Sequence, residues 1–234
     1  MGAPAAPVAA RQVFGERLPL AVAYADLLAT EGVVRGLIGP RETPRLWDRH
    51  LLNSAAVAEL IPAESFVVDV GSGAGLPGLV LAVARPDLTV ALVEPMARRT
   101  AFLTEAVSTL GLADRVSVVR ARAEEAPAAL PGPADMVTAR AVAPLDKLAA
   151  WCLPLAAVGG RLLAIKGATA AEEISAHAAA VRRAGGATPV IRECGVGLLD
   201  QPTTVVEVVK ERVIPRPAAS RSHRGRRRGG ARGR

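Results

Sequence analysis

The run Val67-Val68-Asp69-Val70-Gly71-Ser72-Gly73-Ala74-Gly75-Leu76-Pro77-Gly78 joins an apolar stretch to alternating glycines. It reads as a strand entering a turn in which the missing Cβ atoms let the backbone bend sharply and approach a ligand. Glu94 stands nineteen residues beyond Gly75, at the end of the next apolar run. A carboxylate there can accept hydrogen bonds from both hydroxyls of a ribose, although an acid ending a strand is also an ordinary solvated loop residue. Gly71, Ser72, Gly73, Gly75, Leu76 and Glu94 are therefore the candidate contacts of an adenosine-containing cofactor. Arg122-Ala123-Glu124-Glu125 follows the third apolar run, where a second contact to the adenine is expected. The alternative there is a plain acid pair opening a helix.

Two cofactors compete for this loop. Gly73, Gly75 and Gly78 satisfy the dinucleotide pattern G-x-G-x-x-G. That frame begins late, after the strand has ended at Val70–Gly71, and places Pro77 in the turn that should offer N–H groups to a pyrophosphate. The earlier frame, Asp69-x-Gly71-x-Gly73-x-Gly75, resembles the S-adenosylmethionine (AdoMet) loop of class I methyltransferases. AdoMet has no phosphate and carries a sulfonium and an ammonium, so an acid at the strand's end is tolerated.

In a sheet of that kind the reacting group belongs at the carboxyl end of the fourth strand, here Val137-Thr138-Ala139-Arg140-Ala141-Val142-Ala143-Pro144-Leu145. The stretch lacks the Asp/Asn-Pro-Pro-aromatic sequence of adenine-N6 methylases. A pyrimidine C5 methylase needs a cysteine nucleophile. Cys152 falls inside an expected helix and Cys194 late near a strand end, so both read as structural. Arg140 remains as the catalytic candidate. Guanine N7 is an unprotonated lone pair, and its methylation requires placement in near-attack geometry rather than a general base. An arginine can supply that placement by bonding the O6/N7 edge or a phosphate. A salt bridge beside the sheet is the other reading of Arg140. Lys166, ending the fifth strand, faces the same rim and could hold a phosphate.

These residues need a scaffold. Candidate strands are 66–70, 89–93, 116–119, 135–138, 161–165, 189–192 and 204–210, with helices at 78–85, 96–110, 145–156 and 171–184. Alternation of this kind predicts a parallel sheet covered on both faces, α/β in class. The last two strands leave no room for a helix and should form an antiparallel pair at the sheet's end. Before the sheet, residues 11–38 carry apolar positions near helical spacing. Thr43-Pro44 looks like a helix start, a capping side chain followed by Pro at the first helical position. The expected organisation is an N-terminal helical extension (1–62), a cofactor-binding domain (63–214) and a basic tail (215–234).

The net charge of +7 is unevenly spread. Eight arginines and no acid lie between Arg216 and Arg234, and without them the balance is 21 basic to 22 acidic residues. The tail, low in complexity and expected to be disordered, can neutralise phosphates without reading sequence. Half of the residues are apolar, yet no apolar run is long enough for a membrane span. Residues 1–10 lack the pattern of a signal peptide, and two cysteines give no disulfide framework. The expectation is a soluble, cytoplasmic monomer.

Leu46-Trp47-Asp48-Arg49-His50-Leu51-Leu52-Asn53-Ser54, the glycine loop, Ala139-Arg140-Ala141 and the stretch from Trp151-Cys152 to Lys166-Gly167 are together similar to the bacterial 16S rRNA guanine-N7 methyltransferase G family, also called glucose-inhibited division protein B. About 200 residues share the pattern. The resemblance implies a class I AdoMet-methyltransferase fold and methyl transfer to N7 of guanine G527 in 16S ribosomal RNA of the small subunit. It places cofactor contacts at Gly71, Leu76, Glu94, Ala123, Glu124 and Arg140, so that Arg140 could serve cofactor or base. His50 and Asn53 would edge the RNA side, with a packing role for His50 the alternative. Residues 1–10 and the arginine tail lie outside the pattern. A methyltransferase with a small-molecule substrate and a non-catalytic RNA-binding module on the same fold are the remaining readings.

Overall fold

The computed structural model describes residues 2–140 and 143–215, so Ala141, Val142 and the arginine tail lie outside the described residues. Its centre is a seven-stranded sheet in the order β3-β2-β1-β4-β5-β7-β6. β1 (Phe66–Val70), β2 (Thr89–Val93), β3 (Val116–Val119), β4 (Ala134–Arg140) and β5 (Ala156–Ile165) are mutually parallel. β7 (Thr203–Val209) inserts antiparallel between β5 and β6 (Val190–Cys194), as expected for the closing pair. The parallel strands are near-continuous apolar runs because both of their faces are covered. Glu207 on the antiparallel β7 is a buried charge, flanked by Arg161 and Arg192, each 2.7 Å away. Chain order reverses between β1 and β4, so the crevice at the carboxyl ends of these two strands is the expected ligand site of an open α/β sheet.

Alternation along β1 sends Val67 to one core and Val68 and Val70 to the other. Helices α6 (Leu145–Cys152) and α7 (Ala170–Arg183) cover the second face. On the first face lie α4 (Gly78–Ala84), α5 (Ala97–Thr109) and the N-terminal segments α1 (Val8–Phe14) and α2 (Leu18–Leu27). Phe14, Tyr24 and Leu28 share one core with Leu79, Leu92 and Leu103, so the N-terminal residues are built into the wall of the sheet. Residues 2–6 are tied in as well, with Trp47 Nε1 donating to the Pro4 carbonyl (2.8 Å).

The N-terminal region departs from a simple pair of helices. The helical path over 8–32 includes a 3-10 turn at Gly15–Arg17 and a π turn at Leu28–Gly32. Thr43 is not a helix cap: it lies inside a 3-10 turn, Pro40–Arg45, preceded by Gly39 in an extended conformation. The proline that opens this turn is Pro40, and no side chain caps it. The chain then passes through a π-helical segment, Leu46–Leu52, into the short α3 (Asn53–Ala55). Wide π turns shift which side chains share a face and are frequent at functional sites.

Candidate active site

The glycine loop is anchored from below by Asp69, which is fully buried on β1. One carboxylate oxygen accepts from Thr138 Oγ1 (2.8 Å) and the other from the Gly78 N–H (3.1 Å). Burial pushes its pKa up to about 6, with those hydrogen bonds and the Arg140 charge acting the other way. Gly78 cannot carry a side chain here, since a Cβ would stand 2.6 Å from Asp69 Cβ and 2.6 Å from Leu92 Cδ2. Its glycine serves close helix–strand packing, and its N–H belongs to Asp69. The Leu79 N–H is also taken, by the Gly75 carbonyl (2.9 Å). The seven-residue α4 thus lacks both of these donors for a pyrophosphate, which disfavours the dinucleotide frame.

Gly71, Gly73 and Gly75 all have positive φ (70°, 58° and 96°), a conformation that L side chains adopt only under strain. Tyr24, fully buried on α2, donates its hydroxyl to the Ala74 carbonyl and holds the crest of the loop. A Cβ on Gly75 would lie 2.6 Å from that hydroxyl oxygen. Nothing local in the sequence points from Tyr24 to a loop fifty residues away.

The loop borders a cavity of about 410 Å³ whose other walls include Leu76, Glu94, Met96, His50 and Arg140. A second hollow of about 190 Å³ continues past Gly71 and Pro95 to Ala123, Glu124 and Trp151. Glu94 lines the larger cavity and is 1 % exposed. Its carboxylate accepts the Gly73 and Met96 N–H groups, 3.0 Å each, and Arg99 is 3.6 Å away. Carboxylate oxygens have further lone pairs, so Glu94 is pre-oriented to accept ribose hydroxyls. The hollow beside the glycine loop is partly polar and the smaller one walled by Trp151 is mainly apolar, so together they could hold a ligand with a polar end, a ribose and a flat ring.

Arg140 ends β4 on the rim of the larger cavity. Its guanidinium donates to Ser54 Oγ (3.2 Å), to the Arg49 carbonyl (3.3 Å) and to His50 Nδ1. Burial lowers the Arg140 pKa from its ordinary value, with Asp69 pulling the other way, but an arginine stays charged at any physiological pH. His50 therefore meets Arg140 in the groove, whereas Asn53 faces elsewhere. Asn53 lines a separate cavity of about 480 Å³ with Asp48, Arg49, Leu199 and Gln201. Lys166 donates to Glu173 (2.7 Å) and to the Ala143 carbonyl (2.9 Å), so two of its three donors brace the segment after β4. Both cysteines are buried, and burial raises both thiol pKa values, that of Cys194 to about 11. Neither is poised as a nucleophile. Among the described residues no helix is long and apolar enough to cross a membrane.

The family described as GidB, rRNA small subunit methyltransferase G, matches residues 17–197. A ribosomal RNA small subunit methyltransferase G from Salinispora tropica is 65% identical over 233 residues, covering 96% of each chain. The protein of the same name from Rhodococcus jostii is 59% identical over 209 residues, covering 89% of this chain and 90% of its own. Among solved structures, the S-adenosylmethionine-dependent methyltransferase SibL superposes with a TM-score of 0.57 at 17% identity, covering 81% of this chain and 62% of its own, a likeness of fold alone. With a class I methyltransferase sheet, a glycine loop at its switch point and a family match over most of its length, this chain belongs to the rRNA small subunit methyltransferase G (GidB) family.

Proposed function

We propose that this protein transfers the methyl group of AdoMet to N7 of guanine G527 in 16S ribosomal RNA. The observation that carries this reading is the state of Arg140 and His50 on the rim. Arg140 is aimed by three acceptors, while both ring nitrogens of His50 are already engaged, by Arg140 and by Glu42 (3.0 Å). Arg140 and His50 thus present a donor and no idle base among the described residues. That suits an acceptor atom whose lone pair is free before reaction, and guanine N7 is such an atom. Bound AdoMet would supply an electrophilic methyl, the S–CH3 pair returning to sulfur as the N7 lone pair forms the new bond.

The protein's own task is placement. Gly71, Ser72, Gly73, Gly75 and Leu76 would cradle the amino-acid end, Glu94 would hold the ribose, and Ala123 with Glu124 would border the adenine. Arg140 would bond O6 or a neighbouring phosphate and leave N7 facing the methyl. Holding two reactants in such register can contribute roughly 7–11 kcal/mol to lowering a barrier. His50 acts on the RNA side through Arg140, and Asn53 meets the strand from its own cavity. Lys166 steadies the Ala143 segment and keeps one donor for a phosphate.

The decisive experiment incubates the protein with labelled AdoMet and small subunits lacking the modification, then maps methyl groups by cleavage at 7-methylguanine. A single cleavage at G527 is expected. Incorporation at another atom or nucleotide, or none while AdoMet binding persists, would overturn the assignment.

A further inference from the structure

Glu42 was not among the residues singled out from sequence, yet it stands behind His50 and Arg140. His50 is 8 % exposed and lies between two groups of fixed hydrogen-bonding character. Arg140 has only donors, so the nitrogen it faces, Nδ1, must carry a lone pair. Glu42 Oε2 lies 3.0 Å from Nε2 and, as a carboxylate, only accepts, so Nε2 must carry the hydrogen. Only the neutral Nε2–H imidazole satisfies both contacts. An imidazolium would turn an N–H toward a guanidinium.

The charges around the ring agree. Arg140 faces it from β4, Glu42 from the Pro40–Arg45 turn and Arg49 from its own segment, with Arg45 near Glu42. Burial first, and then Arg140, hold the His50 pKa below its ordinary value, while Glu42 pulls upward. Glu42 is itself clamped by Arg49 Nη1 at 3.0 and 3.2 Å. Its hydrogen bond with His50 is the main reason its carboxyl lies below the usual range. Arg140 is faced in addition by Tyr24 and Asp69.

We propose that Glu42 is a positioning residue for methyl transfer: by accepting the Nε2–H of His50 it holds the ring in the orientation, and so in the tautomer, whose Nδ1 aims the Arg140 guanidinium. Glu42 does not line the groove. The arrangement works as an orienting carboxylate works behind a ligating or catalytic histidine, where loss of such a partner commonly costs 10–100-fold. The inference rests on the reading that Arg140 faces the acceptor base.

The test joins spectroscopy to kinetics on the full chain. With nitrogen-15 histidine, long-range proton–nitrogen correlations identify the protonated ring nitrogen of His50. The chain has three histidines, so the signal is assigned by its loss in His50→Gln. Wild type and Glu42→Gln, which keeps an acceptor oxygen, should show Nε2–H, and Glu42→Ala, its ring released to turn away from Arg140, should show a mixed population. Glu42→Ala should lower kcat for small-subunit methylation by about tenfold or more at unchanged AdoMet affinity, which also reports an intact fold. Glu42→Gln should restore most of that kcat at neutral pH. It should also move the acidic limb of the pH profile to lower pH, because the imidazolium loses a neighbouring negative charge. Nδ1–H or a charged ring in the wild type, or a Glu42→Ala enzyme unchanged in kcat and tautomer, would overturn the proposal. A wild type that methylates no RNA would sink the functional reading instead, and the spectra would still decide whether Glu42 sets the tautomer.

Discussion

Replacing Gly78 by alanine tests the packing that holds the cofactor loop. A Cβ would meet Asp69 Cβ and Leu92 Cδ2 at 2.6 Å each and Asp69 Oδ2 at 2.8 Å. Asp69 Cβ is fixed to the backbone of β1, so no rotamer change relieves that contact and the start of α4 must move outward. Overpacking of this kind costs about 1–3 kcal/mol. Weakening the Gly78 N–H bond to a buried carboxylate adds about 1–3 kcal/mol. Helix propensity returns at most about 1 kcal/mol. The net loss should be about 1–5 kcal/mol, lowering Tm by on the order of 10 °C for a chain of this size. Gly132 is the control: a Cβ there meets nothing within 4 Å, and alanine should be neutral to about 1 kcal/mol stabilising. Urea unfolding followed by circular dichroism reads both variants, and calorimetry with AdoMet reads the loop, which should bind more weakly in Gly78→Ala. If Gly78→Ala proves as stable as Gly132→Ala, the close helix–strand approach is not what requires the glycine.

Other outcomes follow from the same contacts. Tyr24→Phe removes the donor to the Ala74 carbonyl and should cost about 1–3 kcal/mol, with weakened AdoMet binding by calorimetry; unchanged affinity would mean the hydroxyl does not shape the loop. Asp69 titrates near 6 when folded against an ordinary 3.8, so the folded state holds the extra proton in between and the stability owed to Asp69 declines as pH rises from about 4 to about 7. Denaturation of wild type and Asp69→Asn across that range should show the wild type losing ground, and parallel curves would contradict the assignment. Glu207→Gln weakens the contacts with Arg161 and Arg192 across β5, β7 and β6. Both arginine side chains are about half exposed, so the cost should be only about 1–2 kcal/mol by chemical denaturation. Deleting residues 216–234 removes eight arginines and should reduce RNA affinity and the slope of its salt dependence while AdoMet binding stays intact. An unchanged slope would make the tail dispensable for RNA.

The five parallel strands could be read along the chain because a parallel strand buried on both faces must be a nearly unbroken apolar run. Val67–Val70 and Thr89–Val93 show this most plainly. The glycine loop and Glu94 were equally legible, since positive φ demands glycine at specific steps and an acid closing a strand is a local pattern. Arg140 was recognisable as a residue at a strand end, but not which groups aim it. That information is non-local: Tyr24 reaches Ala74, Glu42 reaches His50, and His50 reaches Arg140 across ninety positions of chain.

The N-terminal region shows the opposite limit. Thr43-Pro44 carries a valid local start signal, yet the helical turn begins at Pro40 and the motif around His50 winds as a π segment. Capping signals are worth about 1 kcal/mol, less than the burial of Leu46, Trp47 and Leu51 against the sheet's first core. The order of apolar runs, glycines and strand-end acids determined the architecture and the place of the groove beside the glycine loop. Tertiary packing alone decided which nitrogen of His50 carries its hydrogen, where Asn53 faces and how Arg140 is aimed, because each is set by partners that only folding brings within hydrogen-bond reach.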